Sequence, residues 1–329
     1  MSFLFQEHFG SFPEIVFQGN SSRINSILNG FVVFYCCFES LRSDYGSSIF
    51  LSNSLSKIVI DSSSFINCSS YYDGGSIYFY CPSESGCIVS RVRGFNCFCG
   101  NNNAWDRGGQ FSLIWTSLTG KNYFFDCSVS YCSPSGSSTR RSSVLLRLGN
   151  QKVHSFNSSN NHLYRHSSIC LFGCNTLLME YGSIVGNTAI DCMCFLFVQT
   201  ITESNVIKFN FVNNTSPYSG LSLSEDCQTV YYLDCMIYGK QNVHSLFSVT
   251  RSPNFVVNNC FISSGFVFGS MNGNNNTISE INTYSISHYY FENCYSIEKT
   301  KIMTRSFLFL VFLNHLVINT YEHKNTFSF

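Results

Sequence analysis

The chain has 329 residues, with 19 Lys and Arg against 19 Asp and Glu, so its formal net charge is zero. A disordered chain combines low hydrophobicity with high net charge, and a nucleic-acid binder carries a basic excess; 44% apolar residues at zero net charge exclude both classes. The sequence has only two alanines, Ala104 and Ala189, which excludes a long helical bundle or coiled coil.

The N-terminal residues 1–40 are predicted to form a cap and the first coil of a repeating structure. From Met1 to Phe17 no basic residue precedes the apolar positions, and Glu7 and His8 interrupt them. A secretory signal peptide needs a basic start followed by an unbroken apolar stretch. We therefore predict no signal peptide in this segment, and the sequence alone assigns no compartment.

Two kinds of short motif alternate over residues 41–299 and indicate an internal repeat. The first is a pair of small residues leading into apolar ones, as in Gly74-Gly75-Ser76-Ile77. The second is an apolar residue followed closely by Asn or Asp and often Cys, as in Phe95-Asn96-Cys97. Copies recur every ~20–35 residues, which is too short for a propeller blade and matches one coil of a solenoid.

Each coil is predicted to contain two or three short strands. Ile77 and Phe79 alternate with Tyr78 and Tyr80, and alternation with a period of two is typical of strands. The fold class is therefore predicted to be all-β, a right-handed parallel β-helix of about nine coils. Asn side chains at the bends are expected to form an amide ladder. Two inward-facing stacks are expected, one of Ile77, Phe111, Val144 and Ile169, the other of Phe65, Phe95, Phe125 and Phe156.

These motifs resemble the GGA[IVL] and FxxN repeats of bacterial polymorphic outer membrane proteins, and they are equally similar to β-helix surface proteins of parasitic protists. The best copies are Gly74-Gly75-Ser76-Ile77, Phe211-Val212-Asn213-Asn214 and Phe255-Val256-Val257-Asn258. The resemblance covers about residues 40–295 and implies a pectin-lyase-like fold. It also implies an adhesin-like protein at the cell surface or outside the cell.

The C-terminal residues 300–329 lie beyond both motif series and are predicted to form an apolar cap or tail. The stretch Phe307–Ile318 is almost entirely apolar. It is interrupted by Asn314 and His315 and is shorter than the ~20 residues that span a bilayer. We predict that it packs against the last coils and that the chain does not span a membrane.

The 17 cysteines are an odd number without the paired CxxC spacing of zinc sites. Disulfides would imply a secreted protein, whereas buried free thiols would act as small apolar side chains. The length of the chain favours free thiols, because disulfide-dependent scaffolds are much shorter.

No catalytic, cofactor or metal site is predicted. Clusters that mark polygalacturonases, such as Asn-Thr-Asp and Gly-His-Gly, are absent from the sequence, and the adjacent acids Glu225 and Asp226 suit a solvated turn. His162, His166, Cys170 and Cys174 are spaced four residues apart. With this spacing the four side chains do not converge on one metal ion, either in a strand or in a helix. If the chain is secreted, glycosylation is expected at Asn-x-Ser/Thr sites, which occur at Asn20, Asn67, Asn157, Asn213, Asn214 and Asn275.

The sequence therefore predicts a non-catalytic β-helix that binds carbohydrate or a host or cell-surface protein. The outward Tyr78 and Tyr80 are candidate contact residues, because exposed aromatic rings beside hydroxyl groups suit both kinds of ligand. The alternative is a polysaccharide lyase or glycoside hydrolase on the same scaffold, which would need two carboxylates in one groove.

Overall fold

The computed structural model describes residues 2–19, 22–25, 29–52, 56–100, 108–133, 142–163, 168–189, 195–216, 220–239, 246–250, 255–263, 271–272 and 277–279. All of them lie in one compact unit, residues 1–291. The described chain is an all-β parallel β-solenoid with 58% strand and almost no helix.

One short helix precedes the strands in the described part of the chain. In chain order the elements are α1 (Ser2–Phe9), β1 (Ile15–Gln18), β2 (Ile24–Asn25), β3 (Gly30–Phe34), β4 (Cys37–Glu39), β5 (Arg42–Ser43), β6 (Ile49–Leu51), β7 (Lys57–Asp61), β8 (Ser64–Ile66), β9 (Ser69–Ser70), β10 (Ile77–Tyr80), β11 (Gly86–Ser90), β12 (Arg93–Phe95), β13 (Phe98–Cys99), β14 (Gly109–Trp115), β15 (Lys121–Phe125), β16 (Ser128–Ser130), β17 (Ser142–Arg147), β18 (Asn150–Ser159), β19 (His162–Leu163), β20 (Ile169–Phe172), β21 (Thr176–Val185), β22 (Thr188–Ala189), β23 (Phe195–Val198), β24 (Ser204–Val212), β25 (Ser222–Glu225), β26 (Val230–Leu233), β27 (Met236–Tyr238), β28 (Phe247–Thr250), β29 (Phe255–Asn258), β30 (Phe261–Ser263), β31 (Met271–Asn272) and β32 (Thr277–Ser279).

Each turn of the solenoid contributes to two large parallel sheets. The shorter sheet has nine strands in the order β2-β6-β10-β14-β17-β20-β23-β25-β28. The larger sheet has 18 strands and bends once per turn; β18, β21 and β24 run through this bend. The pairings are parallel and join equivalent positions of successive turns, as Ile49 pairs with Ile77.

The solenoid has about seven turns, so the predicted number of nine is wrong. Seven of the nine strands in the shorter sheet have a neighbour on each side, whereas β2 and β28 have one neighbour each among the described residues. The sequence count treated the copies at both ends as full coils, although the end strands lack a second neighbour there.

The first predicted stack is confirmed except at one residue. Val144 pairs with Ile169 in register, and Ile77, Val144 and Ile169 are buried in the core. Phe111 is also buried, but Ser112 occupies its expected position opposite Ile77 and Val144. The cause is a bulge in β14 between Gly109 and Ser112, where the register shifts.

The second predicted stack does not form, although two of its four phenylalanines are buried. Phe65 and Phe95 lie on neighbouring turns as predicted, but the inward partner of Phe65 is Gly94, and Phe95 is only half-buried beside Tyr131. Phe125 lies on another strand of its turn, paired with Ser90 and half-buried. Phe156 is buried, but it lies opposite Gly182, whereas the row of Phe65 reaches Ser158 on that strand.

The error has a structural cause, because two of the corners in each turn, here called the first and the second corner, have the same kind of sequence. At both corners a residue in left-handed conformation precedes an inward side chain, which is often Cys. Asn96-Cys97 belongs to the second corner and Asp126-Cys127 to the first. Equivalent first-corner residues are Tyr35, Ser62, Arg91, Asp126, Ser155, Tyr181, Lys208, Asp234 and Asn259; second-corner residues include Ser40, Asn67, Asn96, Tyr131, Asn160, Gly186 and Asn213.

Helix α1 packs across the outer flank of the larger sheet. Phe5 is buried against Val32, Val59 and Ile88, which point outward from β3, β7 and β11. The ring of Phe5 lies over Gly30, where an added Cβ would come within 2.9 Å of it. The glycine therefore leaves room for the helix side chain.

The predicted C-terminal cap or tail, residues 300–329, lies outside the described residues. In the described part of the chain, α1 is far too short to span a bilayer, and no other helix is present.

Candidate binding surface

The outer face of the shorter sheet carries a row of large aromatic side chains, which we call the aromatic ridge: Phe50, Tyr78, Tyr80, Trp115 and Phe172. In β10, Ile77 and Phe79 are fully buried while the alternating Tyr78 and Tyr80 are half-buried. Parallel register then aligns Phe50 with Tyr78, and Tyr80 with Trp115. The period-two alternation of the sequence thus builds the ridge.

The rings of the ridge contact one another from turn to turn. The centroids of Phe50 and Tyr78 are 5.3 Å apart with ring planes 16° from parallel. Tyr78 and Tyr80 are 6.4 Å apart, and Tyr80 meets Trp115 edge to face at 4.8 Å. Aromatic pairs in these geometries are stabilising, so the ridge is a rigid surface.

Two arginines contact the ridge, Arg23 at its Phe50 end and Arg147 between Trp115 and Phe172. The Arg147 guanidinium lies 3.7 Å from the ring centroid of Trp115 and 4.4 Å from that of Phe172. Arg23 lies 5.3 Å from the ring centroid of Phe50 and donates a hydrogen bond to the carbonyl oxygen of Tyr45 at 2.9 Å. Such cation–π contacts fix ring orientation and add positive charge to the surface.

Three further tyrosines widen the surface beside Phe50 and Tyr78. Tyr45 stacks on Tyr72 at 4.8 Å and lies 5.1 Å from Tyr78. Tyr71 meets Tyr72 at 90° and is 60% exposed. The aromatic surface therefore extends from the shorter sheet onto the adjacent corner.

Ring orientation decides what this surface offers a ligand. Because Phe50 and Tyr78 turn their faces toward each other, and Arg147 lies over Trp115, much of the ring-face area is already in contact. The surface thus presents ring edges, tyrosine hydroxyls and two cations. These groups suit hydrogen bonding and packing against a protein or the hydroxyl groups of a glycan.

Of the two adjacent acidic residues, Glu225 ends β25 on the outer face, in register with Val198 and two strands beyond Phe172. Asp226 is exposed at the following corner with φ of 52°. Asp61 is buried and accepts hydrogen bonds from the Arg91 guanidinium, which raises the pKa of Arg91. Over the described ranges no group of three His, Cys, Asp or Glu side chains is placed to hold a metal ion.

The three described members of the set spaced by four do not converge. His162 is exposed, whereas Cys170 points outward beside Leu145 and Cys174 is buried in the main core. His166 lies outside the described residues.

The candidate glycosylation sites differ in accessibility. Asn67 and Asn213 are exposed at the second corner, while Asn157 is 1% exposed and Asn214 is 6% exposed. Asn20 and Asn275 lie outside the described residues. Asn67 and Asn213 are therefore the accessible candidates in the folded, described chain.

Inside the second corner lies a buried polar column, the amide ladder that the sequence predicted at the bends. Its members are Asn161, Asn187 and Asn214, each following a left-handed corner residue. The Asn161 amide nitrogen donates to Asn187 Oδ1 at 2.9 Å, and the Asn187 amide donates to Asn214 Oδ1 at 3.2 Å. In the sequence, these asparagines are recognisable as the residues that directly follow each corner residue.

Cysteines continue this column toward the N-terminus. Cys132 receives the backbone N–H of Cys97 on its Sγ at 3.4 Å, and Asn161 Oδ1 receives the N–H of Cys132 at 2.7 Å. The Cys132 thiol and the Asn161 amide oxygen thus accept equivalent backbone hydrogen bonds at the corner of successive turns. The fourteen described cysteines form no disulfide. Burial raises the pKa of Cys127 to about 12, so this thiol is protonated at neutral pH.

The fold and this surface define the chain as a parallel β-solenoid with an aromatic outer face. Comparisons with protein-family models, with curated proteins and with solved structures find no match.

Proposed function

We propose that this chain is a non-catalytic, adhesin-like binding protein of the cell surface or extracellular space, and that the aromatic ridge is its binding surface. The observation that carries the proposal is the continuous contact from Phe50 through Tyr78 and Tyr80 to Trp115 on the outer face. A rigid row of half-buried aromatic rings loses little side-chain entropy on binding.

The chemistry of the ridge supports a ligand with many hydroxyl or amide groups, either a carbohydrate or a protein. Tyrosine-rich surfaces combine apolar area with hydrogen bonding, and Arg23 adds a positive charge at one end. An enzyme of this fold would need two carboxylates facing each other, whereas the row that continues from Trp115 and Phe172 carries one, Glu225.

The test is to screen the purified full-length chain against an array of defined oligosaccharides and a panel of extracellular-matrix proteins. The Tyr80→Ser variant removes the ring that joins Tyr78 to Trp115. We expect it to weaken binding at least ~10-fold, as a loss of over ~1.4 kcal/mol at a hot spot would.

The matched control is Tyr131→Ser, which removes a tyrosine that is 48% exposed at the second corner. It is expected to leave binding unchanged. An equal loss of affinity in both variants, or an unchanged affinity in Tyr80→Ser, would contradict the assignment of the ridge as the binding surface. Release of shortened sugars from the array would instead favour the carbohydrate-active enzyme.

A further inference from the structure

The N-terminal end of the larger sheet has an open edge. Strand β1 pairs with β3 on one side, and no other pairing of β1 occurs within the described ranges. Ile15 and Val16 are 41% and 45% exposed, whereas their β3 partners Phe31 and Val32 are fully buried. An apolar edge of this kind is a template for a further strand.

The only described helix leaves this edge open. Phe5 of α1 lies over Gly30 of β3, and Phe9 of the same helix lies over Gly86 of β11. The helix therefore crosses the flank of the sheet, away from the end of the solenoid. Phe12, in the segment that leads from α1 into β1, is 66% exposed.

We propose that β1 is the contact between two copies of this chain, which pair head to head through antiparallel β1 strands. The inference is independent of the proposed function and uses another part of the molecule. A two-fold axis perpendicular to the sheet brings the same edge of both copies together, as in the commonest closed homodimers.

The alternation of side chains selects the register of this pairing. Phe17 faces inward, since it packs against the core and lies 5.8 Å from Phe31, so Ile15 faces inward and Val16 outward. Residues opposite each other in an antiparallel pair share a face. Centring the two-fold axis on Val16 sets Ile15 against Phe17 of the second copy and continues the core across the interface.

The same register matches the polar ends of the strand. It brings Glu14 of one copy opposite Gln18 of the other, so that an amide can donate to a carboxylate at both ends. Between them, Ile15, Val16 and Phe17 carry neither charge nor proline, the devices that commonly prevent edge pairing. A second copy therefore fits this edge both in apolar surface and in hydrogen bonding.

The first experiment measures the mass of the full-length chain by sedimentation equilibrium at ~1–100 µM. We expect a species of twice the 37.2 kDa chain mass, reduced to the monomer by Val16→Lys, which sets two like charges opposite each other. Ile201→Lys, at a residue 57% exposed elsewhere, is the control and is expected to leave the dimer intact. A monomer at every concentration would overturn the proposal.

The second experiment tests the register and does not depend on the lysine variant folding. In this pairing two Val16 Cα atoms lie ~5 Å apart, within reach of a disulfide, whereas two Gln18 residues lie ~14 Å apart. In the presence of oxidised glutathione, two Val16→Cys chains are expected to form a covalent dimer. Neither Gln18→Cys nor the parent chain is expected to do so. Equal cross-linking of both variants, or none in Val16→Cys, would overturn the register.

Discussion

At the scale of single residues, the second corner is stabilised by one repeated hydrogen bond. The backbone N–H of Asn161 donates to Asn187 Oδ1 at 3.0 Å, and that of Asn187 donates to Asn214 Oδ1 at 2.9 Å. The bend leaves these N–H groups without a strand partner, and a buried unpaired N–H is costly. The side chain from the next turn supplies the acceptor.

Replacing Asn187 by Ala is expected to lower the free energy of unfolding by about 3 kcal/mol, because it removes the side-chain partners of two buried backbone groups. These are the N–H of Asn161 and the carbonyl oxygen of Ser158, whereas Asn214 Oδ1 keeps the backbone N–H of residue 187. Urea unfolding followed by circular dichroism measures the change.

The control is Asn213→Ala on the neighbouring turn, at an exposed residue with φ of 52°. This substitution is expected to lower the free energy of unfolding by only about 1 kcal/mol. It removes the preference of Asn for left-handed backbone but breaks no buried hydrogen bond. Equal destabilisation by both substitutions would assign the effect to the corner backbone and not to the ladder.

At the scale of elements, β14 and β12 fit together through a large and a small residue. The bulge in β14 buries the Phe111 ring, which lies 5.6 Å from Phe65. A Cβ added at Gly94 would come within 2.5 Å of that ring. Gly94 therefore provides the space that the bulged strand fills.

We expect Gly94→Ala to lower stability by about 2 kcal/mol, because the Phe111 ring has to move within a close-packed core. Gly100→Ala in the same turn is the control, since its Cβ would meet its nearest atoms only at 3.8 Å. That substitution is expected to change stability by less than about 0.5 kcal/mol. Thermal unfolding compares the two, and a tolerated Gly94→Ala would contradict this account of the bulge.

Helix α1 introduces a pH dependence through His8. Burial lowers the pKa of His8 from 6.5, Lys121 and Lys152 lower it further, and Glu7 opposes them. The ring contacts Tyr123 and Phe125, while Lys121 donates to the backbone oxygen of His8. Because the folded pKa lies below the unfolded one, the stabilisation is complete above 6.5 and is lost as the pH falls through the folded pKa.

Lowering the pH from 8 to 5 is therefore expected to speed amide hydrogen exchange in α1, after correction for intrinsic rates, more in the native chain than in His8→Gln. The variant keeps a polar side chain but cannot titrate in this range. An identical pH response in the two proteins would show that other groups control the docking of the helix.

At the scale of the whole molecule, the solenoid is built from turns that contact only their neighbours. Stability in such proteins is approximately a sum over turns and the interfaces between them. Asn161 and Asn187 are equivalent residues 26 positions apart, and each is hydrogen-bonded to the next turn. A whole turn can thus be removed without changing the register of the others.

Deleting residues 161–186 is expected to leave a folded, shorter solenoid with a lower midpoint of thermal unfolding. The deletion joins Asn160 to Asn187. It aligns Val153 with Val206, which are both residues of the core. Removing only residues 174–186 breaks the alignment of the corners and is expected to abolish the β-sheet circular dichroism signal. Folding of both deletions alike would contradict a register-dependent core.

Local sequence patterns determined the fold class, the alternation of strands and part of the core. Ile77, Val144 and Ile169 were correctly predicted to point inward, and Tyr78 and Tyr80 outward, because period-two alternation is a property of the chain itself. Repeat spacing determined the solenoid, since recurrence every ~20–35 residues matches one coil of chain.

The tertiary structure decided which residues lie together across turns. Gly94 rather than Phe95 faces Phe65, and Asn161 rather than Asn160 joins the buried ladder, because the first and the second corner of each turn have the same kind of local sequence and only the register between turns distinguishes them. Ring orientation on the ridge depends on that register in the same way. A shift of one residue moves a side chain from the core to the surface, so contacts between turns, and not local pattern, determine these positions.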